Sequence, residues 1–82
     1  MKEPMADKEL TLLHQLGKRI AYLRKEKGFS QLILAVEANL AHSYVSELEQ
    51  GKRNPSIETL SRVASALGVS LEELFRGIVP ID

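Results

Sequence analysis

Eighty-two residues, 44% of them hydrophobic but with only two Tyr, two Phe and no Trp, make one small domain and leave no room for a second. The lack of cysteine excludes a disulfide frame, a thiolate zinc site and a redox role, and the apolar runs are too short for a membrane span. Eleven basic and eleven acidic residues cancel, so no overall positive field draws the chain to polyanions.

Residues 1–6, with Pro4 and no apolar period, read as a flexible N-terminal tail, and residues 7–82 as the single domain. A first helix is expected over 7–27, closed by Gly28. Its inner stripe is Leu13, Leu16, Ile20 and Leu23 with the Lys27 stem, and Leu10 and Leu12 lie at the margin. Ser30 is a natural N-cap for a second helix over 30–38, in which Gln31, Leu34, Ala35 and Ala38 share one side. Asn39, which tolerates the left-handed conformation, ends it.

A third helix over 41–50 turns Ala41, Val45 and Leu48 inward and stops at Gly51. With the small Ala35 at the crossing, two short helices across a three-residue turn describe a helix-turn-helix. Pro55 keeps Asn54 out of the helical region, and Ser56 caps a fourth helix over 56–67 that buries Ile57, Leu60, Ala64 and Leu67 before Gly68. Ser70 and Glu73 form a capping box for a fifth helix, 70–76, whose Leu71, Leu74 and Phe75 should close the core. Together these elements give an all-α class, a compact five-helix bundle.

The outer side of the third helix carries Ser43, Ser46, Glu47 and Gln50, with His42 at its exposed start. Short polar groups of this kind suit base edges in a major groove, and equally the solvated face of an ordinary amphipathic helix. Charge is distributed unevenly around it. Lys18, Arg19, Arg24, Lys25 and Lys27 precede the helix-turn-helix, and Lys52, Arg53 and Arg62 follow it. Residues 28–51 contain Glu37, Glu47 and Glu49 with no Lys or Arg. The basic groups therefore flank the motif, a pattern that fits modest sequence-independent DNA affinity. His14 and His42 stand apart without a metal-ligand spacing, and no nucleophile elbow, phosphate loop or paired-acid arrangement occurs. An enzyme, a metal site and a cofactor are not expected.

Ser30-Gln31, Leu34-Ala35, Ser43-Tyr44-Val45-Ser46, Glu49, Gly51-Lys52-Arg53-Asn54-Pro55-Ser56 and residues 66–75 resemble the phage Cro and repressor (XRE-like) family of DNA-binding domains over roughly residues 14 to 76. The resemblance implies a lambda-repressor-like fold and a sequence-specific transcriptional regulator. Such a protein binds a palindromic operator in double-stranded DNA as a homodimer and excludes or recruits polymerase. Short apolar runs and an N-terminus without a signal-peptide stretch place this chain, as an expectation, in the cytoplasm. A phage-type repressor, a restriction–modification controller and an antitoxin are all compatible subtypes. A protein-interaction adaptor that kept the fold without DNA affinity is the alternative from another class.

Carried over position by position, the resemblance makes Gln31 a phosphate contact that braces the recognition helix, and His42, Ser43, Ser46 and Glu47 base readers. Tyr44, Lys52, Arg53 and Asn54 become DNA-backbone contacts, and Arg24 and Glu49 a buried ion pair. A solvated loop at Lys52 and Arg53, and packing under the turn at Tyr44, are the plainer readings. Three departures stand out. Asn39 replaces the usual turn Gly, Ala41 the usual Ser or Thr cap, and Leu32 and Ile33 stand where exposed acids are common.

Three further expectations come from the residues themselves. Ile78, Val79 and Ile81 lack an obvious partner within one subunit and suit a two-fold dimer interface, or a tail folded over its own core. Leu32, Ile33 and Val36 share the outer face of the second helix, as a contact for polymerase or a neighbouring dimer or as harmless surface apolars. Glu47, an acceptor only, suits the N4 donor of cytosine, unless it pairs with Lys52 or Arg53 and holds the loop.

Overall fold

The computed structural model describes residues 11–79, and among them five helices: α1 (Leu12–Glu26), α2 (Gln31–Ala38), α3 (His42–Glu49), α4 (Ile57–Leu67) and α5 (Leu71–Leu74). Four begin at an N-cap in extended conformation whose hydroxyl accepts a backbone N–H three residues on, as expected for Ser30, Ser56 and Ser70. Thr11, Ser30, Ser56 and Ser70 accept from His14, Ile33, Thr59 and Glu73 at 3.0–3.1 Å. Thr11 starts α1 later than the expected residue 7, because its extended backbone (φ −69°, ψ 155°) cannot lie inside a helix. Residues 7–10 fall outside the described residues.

One three-residue corner recurs. Gly28-Phe29-Ser30, Asn39-Leu40-Ala41 and Gly68-Val69-Ser70 each combine a left-handed residue, a half-buried apolar residue and an extended N-cap. In each, the middle residue donates its N–H to the carbonyl five residues back. Phe29 bonds Arg24 at 3.0 Å, Leu40 bonds Ala35 at 2.8 Å and Val69 bonds Ala64 at 3.0 Å. Asn39 fits because its φ of 58° is within reach of a short polar side chain.

The core is Leu16 and Ile20 of α1, Leu34, Ala35 and Ala38 of α2, Val45 and Leu48 of α3, Leu60, Val63, Ala64 and Leu67 of α4, and Leu74 of α5. Several expected members lie elsewhere. Ala41 is exposed, since an N-cap in extended backbone does not follow the helical wheel. Ile57 is 61% exposed on the first turn of α4, so the buried stripe starts only at Leu60. Phe75 is exposed at the C-cap where α5 stops, leaving Leu74 to enter the core with Leu71 half-buried beside it. Lys27 is exposed, its ammonium over the Phe29 ring.

Two electrostatic ties differ from expectation as well. The Glu73 carboxylate turns to Arg19 (3.2 Å) and Arg76 (2.9 Å) rather than closing the capping box, the full charges outcompeting a backbone N–H. Arg19 also donates to the Glu73 carbonyl, fastening α5 to α1. Beyond α5 the chain folds back. Ile78 is half-buried against the core of its own subunit, contrary to the expectation that it has no partner there. The Gln15 amide grips the N–H and carbonyl of Val79 at 2.9 and 3.0 Å. Val79 is exposed, and Ile81 lies outside the described residues.

Gly17, buried in mid-helix, marks a second close approach, of α1 to α3, beside the one expected at Ala35 between α2 and α3. A Cβ at Gly17 would stand 2.5 Å from the Glu49 carbonyl oxygen and 2.6 Å from that of Leu48. The obstacle is backbone, so it cannot rotate away. Gly17→Ala gains about 1 kcal/mol of helix propensity but meets an overpacking penalty of roughly 1–3 kcal/mol. The expected outcome is a lower denaturant midpoint; an unchanged or raised midpoint would show that α1 and α3 can separate freely.

Candidate nucleic-acid interface

The site is built on α3, and its direction is set from behind. Leu34 and Ala35 of α2 and Val45 and Leu48 of α3 are all essentially inaccessible, so the two helices meet over a dry contact. The carbonyls at the far end of α3 lie against Gly17. Lys52 donates its N–H to the Glu47 carbonyl (2.9 Å) and Gly51, at φ 78°, to that of Leu48 (3.1 Å), which closes α3 as a Schellman motif.

A buried carboxylate completes the frame. Arg24 Nε donates to Glu49 Oε2 at 2.6 Å and Arg24 Nη2 to Oε1 at 3.0 Å, with 11% and 7% of the two side chains exposed. Gln31 Nε2 adds a bond to Oε1 at 2.9 Å, and Arg24 Nη1 donates to the Phe29 carbonyl at 2.9 Å. The expected Arg24–Glu49 pair is therefore present. The bracing role expected of Gln31 runs through the same carboxylate, so α1, α2 and α3 converge on Glu49.

His42 and Ser43 are exposed at the start of α3, Ser46 and Glu47 follow half-buried, and Gln50 donates to Ser46 Oγ at 3.1 Å. Ala41 makes no side-chain cap bond, unlike the residues that open the other helices. Tyr44 is half-buried and packs on the core. Its ring also carries the Arg53 guanidinium at 5.3 Å. Arg53 Nε donates to Glu47 Oε1 at 2.8 Å, the loop-holding pair that sequence left as an alternative. Lys52 and Asn54 are exposed beside it, while Leu32, Ile33 and Val36 form the exposed apolar outer face of α2.

The expected basic flanks are thinner than a residue count suggests. Arg19 and Arg24 are occupied by carboxylates, and Arg62 Nε donates to the Ala38 carbonyl at the end of α2 (3.2 Å). The Arg62 and Arg19 ties leave no mark in the sequence, where an arginine shows as a charge and not as a five-donor fork. For Gly17 a signal did exist: a glycine in mid-helix costs about 1 kcal/mol and usually has a packing reason.

With this geometry in hand, the family profile described as Helix-turn-helix matches residues 20–74. The chain belongs to the helix-turn-helix family. It is 42% identical over 59 residues to the immunity repressor protein of Bacillus phage phi105, covering 72% of this chain and 41% of that protein. It is 42% identical over 67 residues to the HTH-type transcriptional regulator y4dJ of Sinorhizobium fredii, covering 82% and 83%. Among solved structures, the restriction–modification controller protein C.AhdI from Aeromonas hydrophila superposes with a TM-score of 0.76 at 41% identity, covering 77% of this chain and 96% of that one. The chain thus spans less than half of the phage repressor but most of the other two. These relatives are regulators and repressors, not enzymes. No helix among the described residues is long and apolar enough to cross a membrane.

Removing the central carboxylate should unseat the helix that carries the polar face. Glu49→Ala strands the Arg24 guanidinium in a desolvated position and releases Gln31, at a cost of about 3–5 kcal/mol. Chemical denaturation should show this as a large fall in midpoint; a midpoint equal to that of the parent would mean the pair contributes nothing to stability.

Proposed function

We propose that this chain is a sequence-specific transcriptional regulator that binds a palindromic operator as a homodimer, with α3 of each subunit in successive major grooves. The observation that carries the reading is the outer face of α3. His42, Ser43, Ser46 and Glu47 present donors and acceptors on a helix fixed from behind by Gly17 and Glu49. Base readout needs that combination, because bidentate contacts tolerate little angular error. Lys52 and Asn54, exposed at the end of α3, supply phosphate contacts, with Tyr44 and Gln31 adding their polar ends. Among the described residues the arginines are held by carboxylates or carbonyls, so base contacts carry more of the affinity than in a strongly basic protein.

Regulation then follows by occlusion or recruitment of polymerase in the cytoplasm. The repressor and controller relatives support this reading. The exposed Val79, beside the half-buried Ile78, supports a two-fold contact at this end of the molecule.

Selection of bound duplexes from a random-sequence library tests the central claim: an enriched palindrome is expected, and no enrichment would favour a protein-interaction adaptor. Lys52→Ala should weaken binding to all duplexes alike and reduce the salt slope by about 1. Val79→Asp, at a position exposed in the single subunit, should shift sedimentation from dimer to monomer while the helical spectrum is retained. A dimer that persists would place the contact elsewhere.

A further inference from the structure

The loop after α3 does not extend into solvent. Glu47 holds it twice, through its carbonyl to the Lys52 N–H (2.9 Å) and through its carboxylate to Arg53 Nε (2.8 Å). The Tyr44 ring supports the guanidinium from a second side at 5.3 Å. Arg53 is thereby drawn onto the outer face of α3, among the polar groups and not beyond them. Only Nε is engaged there. The terminal nitrogens Nη1 and Nη2 have no hydrogen-bond partner among the described residues. They form a planar fork whose spacing matches O6 and N7 of guanine.

We propose that Glu47 and Arg53 read DNA as one unit, with Arg53 contacting a guanine in the major groove and Glu47 acting as the positioning residue that aims it. This rests on the DNA-binding reading and assigns Arg53 a base where family resemblance assigns it a phosphate. A phosphate contact gains little from an orientation fixed on two sides, since phosphate oxygens accept from many directions. A guanine edge accepts from one. Fixing the guanidinium beforehand also lowers the ordering cost of the contact. The pairing explains why an acid is tolerated on a face that approaches a polyanion: its charge is matched by Arg53.

The test begins with the duplex that the parent protein selects, in which each guanine is replaced in turn by 7-deazaguanine. That change removes the N7 acceptor and leaves base pairing intact. One symmetric guanine should weaken the parent about 10-fold when substituted, because a bidentate contact is cut to its single bond at O6. R53K, which keeps the charge and loses the fork, should be indifferent to that substitution. E47A should respond less than the parent and show a weaker guanine preference at the same position. Both residues are about half exposed, so both variants should keep the parent's circular dichroism.

If every deazaguanine duplex binds the parent normally while R53K weakens all sequences equally, Arg53 holds phosphate and the proposal is wrong. An E47A response equal to the parent's would remove the positioning role. A parent that enriches no sequence would overturn the DNA-binding reading itself, and the unit with it.

Discussion

The Glu49 carboxylate is the constraint on which the rest depends. It is nearly excluded from water, which makes its charge expensive unless donors surround it. Two come from Arg24 on α1 and one from Gln31 on α2. Apolar packing alone would let α3 slide or rotate with small loss, since dispersion has no direction. A bidentate arginine bond does have direction, and here it is satisfied only when three helices stand in one relation. The buried pair thus contributes registration, while Leu34, Val45 and Leu48 supply the apolar burial that hydrogen bonds do not.

Gly17 and Gly51 extend the same fixation. The backbone of α1 approaches the end of α3 within the space a single methyl group would fill, at Gly17 against Leu48 and Glu49 and at Gly51 against His14. Backbone-to-backbone contact is stiffer than contact through side chains, which have rotamers to yield. The inner side of α3 is therefore held rigidly, and only its outer side chains and the following loop retain freedom.

How much of this was legible in the sequence follows from the range of the forces involved. Caps are local, so Ser30, Ser56 and Ser70, Asn39 and the glycine stops could be read directly, and with the three serines three helix starts. The buried faces of α2 and α3 were legible from spacing, because Leu34, Ala35, Val45 and Leu48 repeat at helical period. Ends of elements were not. Ala41, Ile57 and Phe75 lie on apolar stripes when drawn on a helical wheel, but stand where the helix or its covering neighbour stops. Long-range polar ties were equally hidden: Gln15 to Val79, Arg19 to Glu73 and Arg62 to Ala38 join residues far apart in sequence, and nothing local marks them. At the candidate site the polar outer face of α3 was visible, but whether Arg53 points to Glu47 or away depends on the loop's path.

The three matching corners carry a consequence of their own. Because Gly28–Ser30, Asn39–Ala41 and Gly68–Ser70 bend the chain by the same backbone device, the course of the polypeptide into α2, α3 and α5 is settled by main-chain hydrogen bonds and one left-handed residue each. None of that involves the residues that face outward from α3. Aim and vocabulary are thus separate properties of this molecule. The outward-facing side chains can be rewritten one at a time without altering how the helix is delivered, so a scaffold of this size can acquire new targets while its architecture stays still.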